Sequence, residues 1–332
     1  MKIGFCYDIP ENHPRAGDLD DITAEYESEE TIEALTEMMA EIGEVIQFPY
    51  HQQIFDDLRE QKPDVVFNIV ESWGSRNRES YIPNICEMLE ISYTGSDGLA
   101  LGISLDKGLT KEIAQSRGIN TPEFKIIKNV RQLDEVRGNL KIDYPVFVKP
   151  NSEGSSIGIR RSSRVNNFDG LYQTGKKLLN KYQTPIIIEE FLPGREFVVA
   201  LLGNGEPEIF PVAEIVVEGD VSFYSYEFKG KHQKTIKCPV NIENKIKNKM
   251  ISDTLEIFKV LGCRDIARAD FKLDKQGRVH FLEINPLPGL SPFYSVYPEQ
   301  AQKAGYRPEE IIKKLIEFAL SREIDRRKIK NV

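Results

Sequence analysis

The chain of 332 residues is long enough for two or three domains with a sizeable core. Hydrophobic residues make up 40% and charged residues 29% of it, as in an ordinary globular protein. The net charge of −8 disfavours sequence-independent binding to nucleic acid, and no apolar run approaches the ~20 residues of a membrane span. The four cysteines are too far apart for a zinc site or a disulfide framework, which predicts reduced thiols and a cytoplasmic location.

The first hundred residues alternate strand-like and helical patterns. An apolar run at 3–7 precedes an amphipathic stretch over 28–42, and a second apolar run follows at 65–70. A further helical pattern and a short strand at 91–95 complete the series. This order predicts an open α/β layer with parallel strands over residues 1–100.

Residues 101–185 are predicted to form a second unit. Its strand at 144–150 presents Phe147 and Lys149 on the same face, and a loop rich in small residues, 151–158, follows at once. Backbone N–H groups of such a loop can approach an anion closely, which suggests a flexible cover for phosphate. An ordinary turn is the alternative, and the sequence contains neither a Walker nor a Rossmann glycine pattern.

A third unit is predicted over residues 186–332. It opens with a buried strand that carries three isoleucines and two carboxylates and runs into a bend at Pro193. A flat base could lie against such an edge, with polar groups at its rim. A core strand that ends in a solvated turn is the alternative.

The segment 268–285 has the pattern of a β-hairpin. With a two-residue loop at 275–276, Arg268 lies opposite Glu283. Side chains alternate across each strand, so one face of this hairpin then collects four polar residues. A one-residue bulge is expected to scatter them. The four are Arg268, Asp270, Glu283 and Asn285.

The chemistry of this polar face favours a metal and a nucleotide. Carboxylate and amide oxygens are hard ligands that suit Mg²⁺ or Mn²⁺, and Mg²⁺ usually shares its ligands with substrate phosphates. The apolar neighbours predict burial, and buried charge is tolerated only when it is paired or binds a metal. A metal–nucleotide site is therefore favoured over an exposed hairpin with cross-strand ion pairs.

Several motifs, in this order along the chain, resemble the ATP-grasp superfamily and within it the D-alanine:D-alanine ligases. The resemblance covers roughly residues 90–320. It implies an open parallel α/β N-terminal domain followed by a two-part ATP-grasp fold of the α+β type. The motifs are Tyr93-Thr94-Gly95-Ser96, Leu105-Asp106-Lys107, Phe147-Val148-Lys149-Pro150, Glu153-Gly154-Ser155-Ser156-Ile157-Gly158, Glu189-Glu190-Phe191-Leu192-Pro193-Gly194-Arg195-Glu196, Ala267-Arg268-Ala269-Asp270 and Glu283-Ile284-Asn285-Pro286-Leu287-Pro288-Gly289.

The resemblance implies a role for each of these positions. Lys107, Lys149 and Lys229 would hold the phosphates of ATP, while Ser155 and Ser156 would lie in the loop that closes over them. The residues that would hold adenine and ribose are Glu189, Glu190, Leu192 and Glu196. The Mg²⁺ ligands would be Asp270, Glu283 and Asn285.

The implied activity is that of an ATP- and Mg²⁺-dependent carboxylate–amine ligase, and because dimers are common among such relatives a homodimer is expected. A carboxylate attacks the γ-phosphate to give an acyl phosphate, and an amine then displaces phosphate to form an amide. Arg268 would stabilise the oxyanion of the second step. D-Alanine is the default for both substrates, and another amino acid or a small peptide is the rival. A small-molecule kinase and a nucleotide-binding protein without turnover are the alternatives from other classes.

The N-terminal third departs from the family pattern. The family carries His-Gly followed by Gly-Glu-Asp-Gly where this chain has Asn68–Glu79. The carboxylate that meets the amino group of the first substrate could be Glu25 or Glu27. A solvated acidic start of a helix is the alternative for both.

Two further departures concern the substrate side of the resemblance. The family tyrosine after Lys229 is replaced by Gly230, and His232 follows. One extra residue after the polar hairpin leaves Ser295 or Tyr294 in the place of the family's acceptor serine.

Overall fold

A computed structural model describes residues 1–13, 21–217 and 234–330 of the chain. Within these ranges the strands form three sheets, one parallel and two antiparallel, with helices packed against them. The predicted α/β class is confirmed. Lys229 and His232 lie outside the described residues. None of the described helices is both long and apolar enough to cross a membrane.

The N-terminal sheet is parallel, with strand order β2-β1-β3-β4. Strand β1 is buried on both faces after its first residue, because helices cover the two sides of the sheet. Helix α1 begins after Ser28, whose hydroxyl accepts a hydrogen bond from the backbone N–H of Thr31. The elements are β1 (Lys2–Tyr7), α1 (Glu29–Ala40), β2 (Glu44–Pro49), α2 (Ile54–Gln61), β3 (Val65–Asn68), α3 (Tyr81–Met88) and β4 (Ser92–Tyr93).

The central sheet is antiparallel, with strand order β5-β8-β6-β7. Two helices precede it, and the chain is extended at Asp106 between them. The Asp106 side chain caps the second helix and so places Lys107 in its first turn. The elements are α4 (Gly98–Leu105), α5 (Lys107–Ser116), β5 (Phe124–Ile127), α6 (Val130–Glu135), β6 (Val146–Pro150), β7 (Arg164–Val165), α7 (Phe168–Tyr182) and β8 (Ile186–Glu190). The division into units at residues 100 and 185 stays a prediction.

The third sheet is also antiparallel, with strand order β12-β11-β9-β13-β14 and β10 paired to β9. The two strands of the predicted polar hairpin are β13 and β14. The elements are β9 (Glu196–Leu202), β10 (Glu208–Ile209), β11 (Ala213–Val217), β12 (Lys234–Lys237), α8 (Asn244–Val260), β13 (Ile266–Leu273), β14 (Val279–Asn285), α9 (Val296–Lys303) and α10 (Pro308–Lys330).

The loop of this hairpin differs from the prediction. The predicted two-residue loop at 275–276 is wrong, because three residues separate Asp274 from its partner Arg278. The Gly277 N–H donates to the Asp274 carbonyl at 3.1 Å, and Gly277 has a φ of +76°. A turn that ends in a left-handed glycine makes a three-residue hairpin loop.

A bulge in β14 corrects the effect of this loop. The three-residue loop alone would pair Arg268 with Ile284 and turn the polar residues of the two strands to opposite faces. Instead the register shifts by one residue between Asp270 and Phe271, and Leu282 is left without a partner. The expectation that a bulge scatters the polar residues applied to a two-residue loop, whereas with the observed three-residue loop the bulge brings them to one face. The observed pairs are Arg268 with Asn285 and Asp270 with Glu283.

The two ends of the chain share one hydrophobic core. Tyr297 of α9 and Leu315 of α10 belong to the same buried cluster as Phe5 of β1 and Leu35 of α1. The C-terminal helices thus join the parallel sheet to the third sheet. This packing brings the segment before α1 next to the polar hairpin.

Asp265 links three separate parts of this arrangement. Its buried carboxylate accepts hydrogen bonds from the Gly95 N–H at 2.8 Å and from the Asn204 amide at 2.8 Å. It also pairs with Arg322 of α10, whose Nη2 lies 3.0 Å from Oδ2. A buried carboxylate with three donors is stabilising only while all of the donors remain.

We expect Asp265→Ala to lower the free energy of unfolding by about 3 kcal/mol, because it leaves buried donors without an acceptor. Urea denaturation measures this loss. The matched control is Asp134→Ala at an exposed position of α6, with an expected change within about 0.5 kcal/mol. Similar losses in the two variants would contradict the assigned role of Asp265.

Candidate active site

One cleft collects the predicted site residues. It has a volume of about 300 Å³ and lies between the two antiparallel sheets and the segment before α1. Every predicted site residue that the structure describes lines it. They are Glu25, Lys107, Lys149, Ser155, Ser156, Glu189, Glu190, Leu192, Glu196, Arg268, Asp270, Glu283, Asn285 and Ser295, and the alternatives Glu27 and Tyr294 also line it.

The polar face of the hairpin forms one wall of the cleft. The Arg268 guanidinium donates two hydrogen bonds to the Asp270 carboxylate, at 2.7 and 2.8 Å. Burial raises the pKa of Asp270 to about 6, although Arg268 acts in the opposite direction. Burial would also raise the pKa of Glu283, but Lys107, Lys149 and Arg268 outweigh it and bring that pKa to about 2. Glu283 is therefore ionised at neutral pH.

The donor set on this wall fits a magnesium ion that is bound together with phosphates. Two carboxylates on neighbouring strands and the Asn285 amide supply oxygen ligands. The Asn285 Nδ2 atom is buried and has no hydrogen-bond partner among the described residues. No group of three His, Cys, Asp or Glu suited to a metal occurs in the described part of the chain. Two acids and an amide suit an ion whose other ligands come from a nucleotide.

Two lysines share one buried carboxylate behind this wall. Glu189 lies 3.1 Å from the Lys149 ammonium and 3.2 Å from the Lys111 ammonium. Burial lowers the pKa of Lys111 to about 8. Burial also acts to lower the pKa of Lys149, but Glu189 and Glu283 outweigh it and raise that pKa. Lys149 thus stays charged and faces the cleft.

Sequence reasoning missed two cations of the site. Lys111 lies one helical turn after Lys107, and this spacing could have predicted that both point to the same side. Its ammonium also donates to the carbonyl of Leu282, the bulged residue. Lys272 pairs with Glu196 at 2.9 Å, and its alternation with Asp270 along β13 was the available signal.

The predicted phosphate cover has an uncommon backbone. Ser155 and Ser156 have φ angles of 45° and 62°, in the left-handed region that residues other than glycine rarely adopt. Such backbone strain is frequent in segments that clamp ligands. Lys107 approaches the same loop, since its ammonium donates to the Glu153 carbonyl and lies 3.3 Å from the Glu283 carboxylate.

The segment before α1 holds this loop at two points. The Gly154 N–H donates to the Glu25 carboxylate at 2.6 Å, and a Cβ atom on Gly154 would lie 2.2 Å from that oxygen. The Gly158 N–H donates to Asp21 at 3.2 Å. The same Asp21 oxygen accepts from Arg160 at 2.9 Å and from Tyr182 at 2.6 Å.

Glu25 and Glu27 face different parts of the cleft. Glu25 pairs with Arg78 at 2.6 Å, on the side of the phosphate cover. Glu27 accepts from the Tyr294 hydroxyl at 2.5 Å and from the Leu290 N–H at 3.2 Å, on the side of the predicted acceptor residues. The roles of the two glutamates and of Ser295 stay predictions.

A pair of acids that the sequence analysis did not assign lies next to Arg78. Glu71 and Glu79 both line the cleft, and the two acids lie close enough for their charges to interact. Burial raises the pKa of Glu79 to about 7 and raises that of Glu71 well above its ordinary value. Both acids belong to the segment 68–79 that departs from the family pattern, and this departure was the available signal.

Comparison with known proteins agrees with this geometry. Residues 113–317 match the family described as D-ala D-ala ligase C-terminus. The chain belongs to the D-alanine–D-alanine ligase family. Membership confirms the predicted ATP-grasp fold and the predicted activity of an ATP-dependent ligase that forms an amide bond.

Individual relatives cover most of the chain. A D-alanine–D-alanine ligase from Pelotomaculum thermopropionicum is 32% identical over 276 residues, which are 80% of this chain and 83% of the relative. The uncharacterized protein y4sG from Sinorhizobium fredii is 34% identical over 259 residues, 77% of this chain and 74% of the relative. The crystal structure of a D-alanine–D-alanine ligase from Bacillus anthracis complexed with ATP has a similar fold, with a TM-score of 0.73, 21% identity and coverage of 98% and 99% of the two chains.

The raised pKa of Glu79 gives a test by pH. A folded-state pKa of about 7, above the ordinary 4.5, means that its stabilising contribution is complete below pH 4.5 and is lost as the pH rises through 7. Glu79→Gln has no such carboxyl group. We expect the free energy of unfolding of the variant, minus that of wild type, to be larger at pH 8 than at pH 5, so that the variant gains relative stability as the pH rises.

Urea denaturation at the two pH values measures this difference. The control is Glu33→Gln on the exposed face of α1, for which the same difference is expected to be negligible. If Glu79→Gln changed the free energy of unfolding equally at pH 5 and pH 8, the result would contradict a raised pKa of Glu79 in the folded protein.

Proposed function

We propose that the enzyme joins two amino acids through an acyl-phosphate intermediate, with D-alanine as the default for both. The observation that carries this proposal is the convergence, in one cleft, of lysines, an arginine–carboxylate wall and a loop rich in Gly and Ser. The Pelotomaculum relative, which is named a D-alanine–D-alanine ligase, supports the default. The departures in segment 68–79 keep another amino acid or a small peptide as the alternative substrate.

The first step forms the activated acid. A carboxylate oxygen of the first amino acid bonds to the γ-phosphorus of ATP, and the bond from that phosphorus to the oxygen of ADP breaks. Lys107 and Lys149 lie where they can exchange their carboxylate partners for phosphate oxygens. Lys229 stays a predicted third phosphate ligand.

Magnesium would be held by Asp270, Glu283 and Asn285. When bound, it neutralises phosphate charge and orients the γ-phosphate for in-line attack. The ion pairs that Arg268 and Lys107 make with these acids hold the carboxylates in position before any ligand arrives.

The second step forms the amide. The amine nitrogen of the second amino acid attacks the acyl carbon, the bond from that carbon to phosphate breaks, and the nitrogen loses a proton. During the attack, negative charge develops on the oxygen that is bonded to the acyl carbon. Arg268 carries a charge in a buried wall, where a fixed donor stabilises an oxyanion far more than water would.

The cover over the phosphates has a chemical purpose. Acyl phosphates hydrolyse, so water must be kept from the intermediate. The loop with Ser155 and Ser156 supports this role, since it lies over the cleft and is tied to the segment before α1.

An ATP-consuming reaction and four free cysteines support a cytoplasmic location, and a role in cell-wall peptidoglycan synthesis follows from the D-alanine default. The possible homodimer stays a prediction.

A product screen tests the proposal. ADP release is measured with D- and L-amino acids, singly and in pairs, and the products are identified by mass spectrometry. We expect release to require an amino acid and a dipeptide mass to appear with free phosphate. A phosphorylated product without an amide would instead indicate a kinase and contradict the proposal.

Asp270→Asn tests the metal assignment. We expect ADP release to fall by roughly 100-fold or more at saturating Mg²⁺, because an amide replaces one of two anionic ligands and leaves Arg268 without its counter-ion. Thermal unfolding verifies that the variant is folded. The control is Asp134→Asn, because Asp134 is exposed and does not line the cleft. Unchanged release at saturating Mg²⁺ would contradict the assignment of Asp270 as a ligand.

A further inference from the structure

Two buried lysines share one buried carboxylate behind the polar wall, and only one of the two lysines lines the cleft. Lys149 and Glu189 line it, whereas Lys111 of α5 does not, and the side chain of Lys111 has no exposed surface. The ammonium groups of Lys149 and Lys111 lie 3.1 Å and 3.2 Å from the two carboxylate oxygens of Glu189. This group of three residues therefore combines two positive charges with one negative charge.

Lys111 is fixed from a second direction. Its ammonium group donates to the carbonyl of Leu282, the bulged residue of β14. A fully buried side chain that is anchored to two neighbouring strands cannot turn toward a ligand in the cleft. Lys149 lies where an anion in the cleft can reach it. The two lysines are thus equal in charge but different in what they can contact.

The Glu189 oxygen that faces Lys111 depends on that lysine. This atom, Oε1, is buried and accepts no hydrogen bond from the described residues, so the ion pair with Lys111 is its compensation within the described part of the chain. Burial acts to raise the pKa of Glu189, but Lys111 and Lys149 outweigh it and lower that pKa. Glu189 is therefore a buried anion that needs a cation beside it.

The binding of phosphate changes the partner of Lys149. In the proposed first step this lysine exchanges Glu189 for an oxygen of ATP. While Lys111 stays in place, Glu189 keeps one cation and the remaining pair is neutral. Without Lys111, the same movement would leave a buried carboxylate with no cation, and this strongly opposes the movement. A second, immobile lysine makes the exchange favourable.

We infer that Lys111 is a positioning residue that neutralises Glu189 so that Lys149 can bind the phosphates of ATP. Lys111 itself touches neither phosphate nor metal. The inference rests on the proposed function, through the role of Lys149 as a phosphate ligand. It gives α5 a second part in nucleotide binding, since the same helix begins with Lys107.

The consequence is an effect on phosphate binding alone. Adenosine has the base and the ribose of ATP but no phosphate, so it does not draw Lys149 away from Glu189. Loss of Lys111 is therefore expected to weaken the binding of ATP and to spare that of adenosine. A hydrogen bond to a charged group changes affinity by roughly 10- to 100-fold. A merely structural defect at this place would weaken both ligands together.

Equilibrium binding in the absence of amino acids tests the inference. Calorimetry gives the dissociation constant of ATP with Mg²⁺, and ligand-observed NMR gives that of adenosine. The ratio of the adenosine constant to the ATP constant is the phosphate preference. We expect Lys111→Met to lower this preference by roughly 10- to 100-fold. Lys111→Gln keeps a donor for the Leu282 carbonyl without the charge, and a loss of similar size is expected for it.

A double variant separates the charge effect from a packing effect. Lys111→Met combined with Glu189→Gln removes the carboxylate together with its cation, so that Lys149 leaves no buried charge behind when it binds phosphate. We expect this variant to recover most of the phosphate preference that Lys111→Met loses. In a Lys149→Met background, Lys111→Met is expected to cause no further loss of preference.

The matched control is Lys125→Met. It removes one positive charge from an exposed residue of β5, the strand that pairs with β8, and this residue does not line the cleft. We expect the phosphate preference of this control to stay within about threefold of wild type. Circular dichroism and thermal unfolding verify that the variants are folded.

The outcomes separate the inference from the proposed function. Equal losses of ATP and adenosine binding in Lys111→Met, an unchanged phosphate preference, or no recovery in the double variant overturns the inference and leaves the ligase activity standing. Unfolding of both single Lys111 variants also overturns a role confined to phosphate binding. A wild type that binds adenosine as tightly as ATP overturns the inference and the phosphate role of Lys149 together. A product screen without any dipeptide overturns the proposed function alone, because the binding measurements use no amino acid.

Discussion

The register between β13 and β14 is the constraint on which the site depends. Asp270 lies opposite Glu283 only because the one-residue bulge at Leu282 offsets an odd-numbered loop. A slip of one residue between β13 and β14 would turn Glu283 to the opposite face of the sheet from Asp270, which β9 holds in place. The bulged residue is itself fixed, since its carbonyl accepts from the buried Lys111. Packing and chemistry therefore depend on the same backbone detail.

Most of the buried charge in the cleft is balanced before any ligand binds. Lys111, Glu189 and Lys149 alternate in sign, and the Arg268 guanidinium sits on Asp270. Such pairs are stabilising only while both partners remain, and they leave the lysines charged in a place that anions can reach. The acids of segment 68–79 are the part of this cleft where negative charge exceeds positive charge.

The sequence predicted the composition of the polar wall but not its geometry. The face shared by the four polar residues was predicted correctly, although the prediction assumed a two-residue loop and no bulge. The observed loop has one more residue and the observed strand has a one-residue bulge, so the two differences offset each other in the alternation of side chains. The four residues are Arg268, Asp270, Glu283 and Asn285. Loop length depends on whether a glycine such as Gly277 adopts a positive φ, which the sequence permits but does not require. The sequence carried signals for Lys111, for Lys272 and for the departing segment 68–79. It carried none for their burial or for their charge partners, since these arise only when distant segments pack together.

The two hydrogen bonds from the segment before α1 tie the loop with Ser155 and Ser156 to the neighbouring part of the cleft. Glu25 holds Gly154 and Asp21 holds Gly158, so the loop cannot lift away without loosening the residues that shape the other binding region. Occupancy of one region is thereby linked to occupancy of the other, and such linkage is reciprocal. A ligand that holds the loop in place is thus expected to change the affinity of the neighbouring region, even where the two ligands do not touch.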